Sequence, residues 1–221
     1  MNIFVVIPAY YEEKRIKNVV EDLYAHGYSN IVVVDDGSKD ATSQKALIAG
    51  AHVLRHVINR DQGAALETGT QYALRNGADI IVHFDADGQM QASDIKAMIQ
   101  PIADGDFEVT LGSRYLRSTK ELPFLKRYFI HPVGRVVNVL FTGLWLTDAH
   151  CGFRALSRNA AETIHITQDG KAHASEILEK IKLNKLTFTE VPVDILYHEF
   201  GQGLSGGIRI VFDLIKAKLV K

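Results

Sequence analysis

The chain has 221 residues, 47% of them hydrophobic and 23% charged, a balance that excludes a disordered chain and suffices for one sizeable domain. Lys and Arg number 25 against 26 Asp and Glu, a formal charge of −1, so no global field favours nucleic acid. Cys151 is the only cysteine, which excludes an internal disulfide and a zinc site built from several cysteines.

Residues 3–7 are a continuous apolar run and predict a strand. Residues 14–26 predict a helix stopped by Gly27, and 31–34 the next strand. A helix over 41–49 ends at Gly50, and 52–57 predict a third, weaker strand. A helix over 64–75 closes at Asn76-Gly77, and 80–84 predict a fourth strand. Ser93 has the character of an N-cap for a helix that stops at Pro101, and 109–112 predict a fifth strand. Apolar strands without alternation, separated by helices, predict an α/β fold with a mostly parallel sheet covered on both faces. After Arg114 the pattern changes. Residues 114–135 hold six Lys or Arg and one acid, Glu121. Residues 136–146 predict an apolar helix containing Gly143, 172–184 another helix, 186–197 an extended stretch, and 208–219 a terminal amphipathic helix. No signal peptide is visible, and the uncharged run over 136–147 is shorter than the roughly 18 apolar residues of a membrane span. The expected compartment is the cytoplasm.

Ligands of a parallel α/β sheet bind at the carboxyl ends of its strands. Those ends carry Pro8-Ala9-Tyr10-Tyr11-Glu12-Glu13, Asp35-Asp36-Gly37-Ser38-Lys39-Asp40, Asp85-Ala86-Asp87-Gly88-Gln89 and Ser113-Arg114. Acids gathered on one edge repel unless a cation or hydrogen-bond donors compensate them, and a divalent metal does so economically. Asp85 and Asp87 suit Mg²⁺ or Mn²⁺, with Gln89 as a further oxygen ligand; the alternative is a strand cap followed by an Asp87-Gly88 turn. An exposed carboxylate of the adjacent acids Asp35 and Asp36 could accept hydrogen bonds from a nucleobase or ribose, while Asp40 suits the cap of the following helix. The glycine-rich segment 201–206 matches a dinucleotide fingerprint in form, yet too little chain follows for the second strand and its acid. It suits a lid over a phosphate-bearing ligand. No phosphate loop, H-E-x-x-H or G-x-S-x-G motif is present. Cys151 is expected to be a small packed residue.

Six segments in order, those four together with Thr147-Asp148…Gly152-Phe153-Arg154 and Glu190-Val191-Pro192, resemble the family 2 glycosyltransferases of GT-A fold. Within that family the closest resemblance is to the dolichol-phosphate mannosyltransferase and polyprenyl-phosphate glycosyltransferase branch. The resemblance implies a single domain, with residues 1–113 as the nucleotide-sugar half and 114–221 as the acceptor and lid half. It implies metal-dependent, inverting transfer from a GDP- or UDP-linked sugar to a dolichyl or undecaprenyl phosphate. The alternatives are a family member acting on a saccharide or other hydroxyl, and a nucleotide-sugar-binding protein with weak turnover. Pro8, Tyr10, Glu12, Val34 and Asp36 match nucleotide-binding positions. Asp85, Ala86 and Asp87 match the metal and diphosphate segment, with Gln89 as an additional ligand. Arg114 matches an arginine near the phosphates, and Arg135 a basic residue on the acceptor side. At His198 and Leu204 the chain departs from the family's Arg and Lys. A lipid phosphate acceptor needs no general base; a hydroxyl acceptor does, and Asp148 is then the candidate, its other role being a cap or a pair with Arg154. A polyprenyl acceptor further implies peripheral docking on the cytoplasmic membrane face, through 114–146 with Phe141 and Trp145, and through 208–221.

Overall fold

The computed structural model describes residues 1–117 and 143–196. In chain order these form β1 (Ile3–Ala9), α1 (Ile16–Ala25), β2 (Asn30–Asp35), α2 (Thr42–Ile48), β3 (His52–Arg55), α3 (Asp61–Arg75) and β4 (Ile80–His83). There follow α4 (Ile95–Ala103), β5 (Val109–Ser113), the short α5 (Arg114–Arg117), β6 (Arg154–Ser157), α6 (Arg158–Thr163), α7 (His173–Leu183) and β7 (Phe188–Pro192). The seven strands make one sheet in the order β3-β2-β1-β4-β6-β5-β7. Every pairing is parallel except the two that β6 makes, with β4 and β5. The sheet is therefore mostly parallel, as expected. Because β6 lies between β4 and β5, the two halves of the chain interleave in a single sheet.

Unalternating strands follow from burial on both faces. Val5 and Ile7 of β1 pack with Val19, Val20 and Leu23 of α1 and with Ile95 and Met98 of α4. Phe4 and Val6 face the opposite way, toward Ala65 and Leu66 of α3 and Ile177 and Ile181 of α7. Each such aliphatic side chain contributes roughly 1.5–3 kcal/mol when fully buried.

Several boundaries differ from expectation for identifiable reasons. The helix predicted to stop at Pro101 continues to Ala103. A proline this close to the end removes one N–H bond and leaves the last, Asp104 N–H to the Gln100 carbonyl, intact. Ser93 is not its N-cap: it lies inside a 3₁₀ turn, Ala92–Asp94, that leads into α4. The α3 helix begins at Asp61, three residues earlier than expected, and β3 ends at Arg55 rather than at residue 57. The β6 strand and α6 helix were not foreseen. A four-residue strand that opens on a buried arginine has no apolar run to announce it, and α6 is six residues long, capped by the Ser157 hydroxyl accepting from Ala160 N–H. Residues 143–146 of the predicted 136–146 helix are not helical. Gly143 has φ +68, and Leu144 and Leu146 are buried in the core on either side of exposed Trp145. The rest of that helix, residues 118–135, the 201–206 segment and the terminal helix lie outside the described residues.

Candidate active site

The carboxyl ends of β1, β2 and β4 and the segment after β3 meet in a cleft of about 360 Å³. This is where the strand order reverses, with β2 on one side of β1 and β4 on the other. Pro8, Ala9, Tyr10 and Glu12 line it from β1, Asp36 from β2, Asn59, Asp61, Gln62 and Ala65 from the β3–α3 segment, and Asp85, Ala86 and Asp87 from β4. Five of these are carboxylates, and among the described residues no Lys, Arg or His lines the cleft.

Local hydrogen bonds hold each wall. Tyr11 takes a left-handed conformation, φ +57, and donates its N–H to the Ser38 hydroxyl at 2.9 Å, tying the β1 loop to the β2 loop. Glu12 N–H is donated to Thr42 Oγ1 at 2.9 Å. Of the adjacent acids after β2, Asp35 serves the turn: it accepts from Ser38 N–H at 2.9 Å and from the Ser43 hydroxyl. Asp36 reaches the cleft wall. Its carboxylate meets His56 Nδ1 at 2.7 Å and accepts from Arg60 N–H at 2.9 Å and 3.1 Å, so it anchors the β3–α3 segment. His56 is held from its other nitrogen by Thr68 at 2.9 Å. The N-cap position of α2 is Ala41 rather than the expected Asp40; Asp40, one residue earlier, still accepts the first N–H of the helix, that of Thr42, at 3.1 Å.

Gln62 donates its amide to Asp85 Oδ1 at 3.0 Å. From the other side Gly152 leaves room for that carboxylate, since a Cβ there would stand 2.9 Å from Asp85 Oδ2. Burial, then the neighbouring Asp87, pushes the Asp85 carboxyl up to about 6, against the opposing pull of Arg154 and Gln62. Burial also raises Glu12, with Arg15 opposing and Asp87 adding to the rise. Acids that destabilise each other's charge in this way have the donor chemistry of a hard divalent cation. Among the described residues no group of three or more His, Cys, Asp or Glu side chains converges as a metal cage. Two carboxylates with positions left for water and phosphate oxygens are what Mg²⁺ or Mn²⁺ takes, so Asp85 and Asp87 fit such an ion. Gln89 is not among the lining residues; its N–H is donated to Asp87 Oδ1 at 2.9 Å.

Arg114 and Asp148 stand outside the cleft lining, at the end of β5, and hold each other. Arg114 Nε and Nη2 are donated to Asp148 Oδ2 and Oδ1 at 2.6 Å and 2.8 Å, and Arg114 N–H to Oδ2 at 3.2 Å. The partner of Asp148 is thus Arg114, not Arg154. Val34 is fully buried, so it supports the wall from behind and offers its side chain to the core rather than to a ligand. Cys151 is buried, and burial followed by Asp148 pushes its thiol up to about 11, which leaves it inert. Arg135, His198 and Leu204 lie outside the described residues. The residues missed from sequence are His56, Asn59, Asp61 and Gln62. For Asn59, Asp61 and Gln62 the signal existed, because they follow the predicted strand over 52–57 and the rule used for the other strand ends extends to it. His56 was hidden inside that predicted strand, which in the structure ends at Arg55.

The model of the family described as "Glycosyl transferase family 2" matches residues 4–165. The UDP-N-acetylglucosamine–dolichyl-phosphate N-acetylglucosaminyltransferase of Methanococcus voltae is 36% identical, over 99% of this chain and 97% of its own. The undecaprenyl-phosphate mannosyltransferase of Micrococcus luteus is 27% identical over 94% and 89%. Among solved structures, glucosyl-3-phosphoglycerate synthase from Mycobacterium tuberculosis, in complex with Mn²⁺, UDP-glucose and phosphoglyceric acid, superposes with a TM-score of 0.70 at 18% identity. It covers 93% of this chain and 74% of its own and shows the shared GT-A architecture. With the family model spanning most of the sheet and the whole cleft, the chain belongs to glycosyltransferase family 2.

Proposed function

We propose that this glycosyltransferase transfers a sugar from a UDP- or GDP-linked donor to a polyprenyl phosphate, with inversion and with Mg²⁺ or Mn²⁺. The observation that carries the donor reading is the cleft itself: five carboxylates and, among the described residues, no lining cation. A nucleoside diphosphate is anionic and would be repelled there without a divalent ion. Asp85 and Asp87 would hold that ion, which when bound neutralises charge on the departing nucleoside diphosphate. Pro8, Tyr10, Glu12 and Asp36 form the nucleoside wall, with the half-exposed Tyr10 ring available to a base. Gln62 orients Asp85, and Ala86 keeps the wall between the two acids small.

A second observation favours a phosphate acceptor over a hydroxyl. A hydroxyl must lose a proton to a base within hydrogen-bond reach. Asp148, the candidate base, is buried with both carboxylate oxygens committed to Arg114. A lipid phosphate arrives already ionised and needs no such group. Arg114, Arg135 and His198 are the residues assigned to the phosphates of donor and acceptor. The relatives named as dolichyl-phosphate and undecaprenyl-phosphate transferases support the same acceptor class, and the Methanococcus voltae relative makes UDP-N-acetylglucosamine the first donor to try.

Among the described residues no helix is long and apolar enough to cross a membrane. A polyprenyl acceptor keeps its tail in the bilayer, so the proposed reaction calls for docking at the cytoplasmic membrane face, and the exposure of Trp145 supports a part for it in that docking. A panel of UDP- and GDP-sugars with Mn²⁺ and a short polyprenyl phosphate, read by product mass, tests the reading. A polyprenyl-phosphate sugar is expected. Transfer to free saccharides with none to the lipid phosphate refutes it.

A further inference from the structure

Glu190 belongs to the Glu190-Val191-Pro192 segment, yet it lies far along the chain from the cleft acids and on a different strand. It sits on β7, opposite Leu111 of β5. Its carboxylate is turned to a segment 42 to 43 residues away. Glu190 Oε1 and Oε2 accept from Thr147 N–H at 2.8 Å and 2.9 Å, Oε1 accepts from the Thr147 hydroxyl at 2.7 Å, and Oε1 accepts from Asp148 N–H at 3.1 Å. Among the described residues it makes no ion pair. A part-buried carboxylate held only by N–H and O–H donors is costly for a residue whose sole duty is strand pairing, since Phe188, Thr189 and Val191 pair the strand without it. The three donors it gathers all belong to Thr147 and Asp148.

The chain of contacts continues from that turn. The hydroxyls of Thr147 and Ser113 stand 2.5 Å apart, which joins the turn to the end of β5. The next residue on each side is Asp148 and Arg114, and these form the two-pronged pair described above. Glu190 thus holds the backbone from which the Asp148 carboxylate reaches both guanidinium nitrogens.

We propose that Glu190 is a positioning residue that clamps the 147–148 turn, so that Asp148 fixes the direction of the Arg114 guanidinium at the end of β5. Only the kinetic arm of its test rests on the transfer reaction proposed above. The glutamine isostere keeps the size of Glu190, removes its charge and puts an –NH₂ in place of one of the two oxygens that accept from Thr147 N–H, so a donor meets a donor there and the remaining oxygen holds the turn without charge assistance. Thr147→Val is the gentler variant, removing one hydroxyl and no backbone bond.

The direct readout is the Arg114 Nε–H resonance in ¹⁵N NMR of the full chain, assigned by its loss in Arg114→Lys. In the wild type it should be a sharp, slowly exchanging signal, as an Nε–H held by a carboxylate gives. In Glu190→Gln it should broaden or exchange away, in Thr147→Val it should weaken, and the double variant should be no worse than Glu190→Gln alone. In the kinetic arm, Glu190→Gln should lower kcat by up to about 10²-fold and weaken the Kd for the Mn²⁺-nucleotide by much less, the mark of lost alignment rather than lost fold. An unchanged Nε–H signal in a folded Glu190→Gln, or in Thr147→Val should the former not fold, overturns the proposal. A wild type that transfers no sugar, together with the expected signal change in Glu190→Gln, would overturn the function proposed above and leave the clamp standing.

Discussion

Gly63→Ala offers a sharp test of how the cleft wall is held. Gly63 is the third residue of α3, directly after Asp61 and Gln62, and its N–H is donated to the Asp169 carbonyl at 2.6 Å. A Cβ at this position would stand 2.0 Å from the Gln168 carbonyl oxygen, 2.8 Å from that of Asp169 and 2.9 Å from the His173 Cβ. Two of the three obstacles are backbone, so no rotamer change relieves them. Ordinary carbon contacts begin beyond about 3 Å, which requires the 168–169 segment to withdraw by roughly 1 Å. That segment cannot yield cheaply, because Glu176 accepts the N–H groups of both Thr167 and Gln168. Overpacking of this kind costs about 1–3 kcal/mol, and a backbone obstacle puts it at the upper end. At roughly 2–4 °C per kcal/mol for a chain of this size, Tm should fall by on the order of 6–12 °C. Gly105→Ala is the control: φ is +82 and nothing lies within 4 Å, so only the backbone conformation resists. A cost of about 1 kcal/mol is expected there. Because α3 carries Gln62 to Asp85, Gly63→Ala should also weaken Mn²⁺-nucleotide binding, whereas Gly105→Ala should not. Scanning calorimetry with nucleotide titration decides, and a Gly63→Ala protein as stable as the wild type would refute the packing argument.

Asp87→Asn should keep the fold and lower metal-dependent transfer by about 10²–10³-fold, since the amide retains the acceptor for Gln89 N–H and loses the charge; near-normal turnover in a folded variant contradicts the metal assignment. Burial raises the Glu176 carboxyl, but hydrogen bonds from Lys180, Thr167 and Gln168 outweigh it and bring it down to about 2. A depressed carboxyl stabilises the fold above its unfolded value of 4.5, so roughly 3 kcal/mol present at neutral pH should disappear as pH falls from about 5 to 2. Urea melts across that range should show a loss that Glu176→Gln abolishes, and parallel profiles for both proteins would deny it. Cys151 should resist iodoacetamide at pH 8 in the folded protein and react on denaturation, as mass spectrometry will record; rapid native labelling contradicts its burial.

Where the sequence was legible, one physical cause lay behind it. Of the five foreseen strands, 3–7 and 31–34 are uninterrupted apolar runs and 80–84 and 109–112 are apolar but for His83 and Thr110, because helices cover both sheet faces; the weaker fifth is the exposed edge strand β3. The cleft acids were legible through the strand-end rule, and Asp85, Asp87 and Asp36 do share one cleft. What escaped depends on contacts distant in sequence. The burial of Arg154 hides β6 from any hydrophobic pattern. Asp148 has arginines at positions 114 and 154, and its pairing with the former goes with contacts from β5 and from Glu190 on β7 that no local pattern announces. Likewise nothing local separates the duties of Asp35 and Asp36. The direction of each side chain at the strand end turns one into the turn and the other to the β3–α3 segment.

The proposed function requires this acidic cleft to take a nucleotide only through a divalent cation. Calorimetric titration of UDP, and separately GDP, into the wild-type protein with Mn²⁺ and then with excess EDTA measures it directly. At least one nucleotide should bind with Mn²⁺, and the heat should vanish with EDTA and in Asp87→Asn. Equal affinity for that nucleotide with and without the metal would contradict the claim.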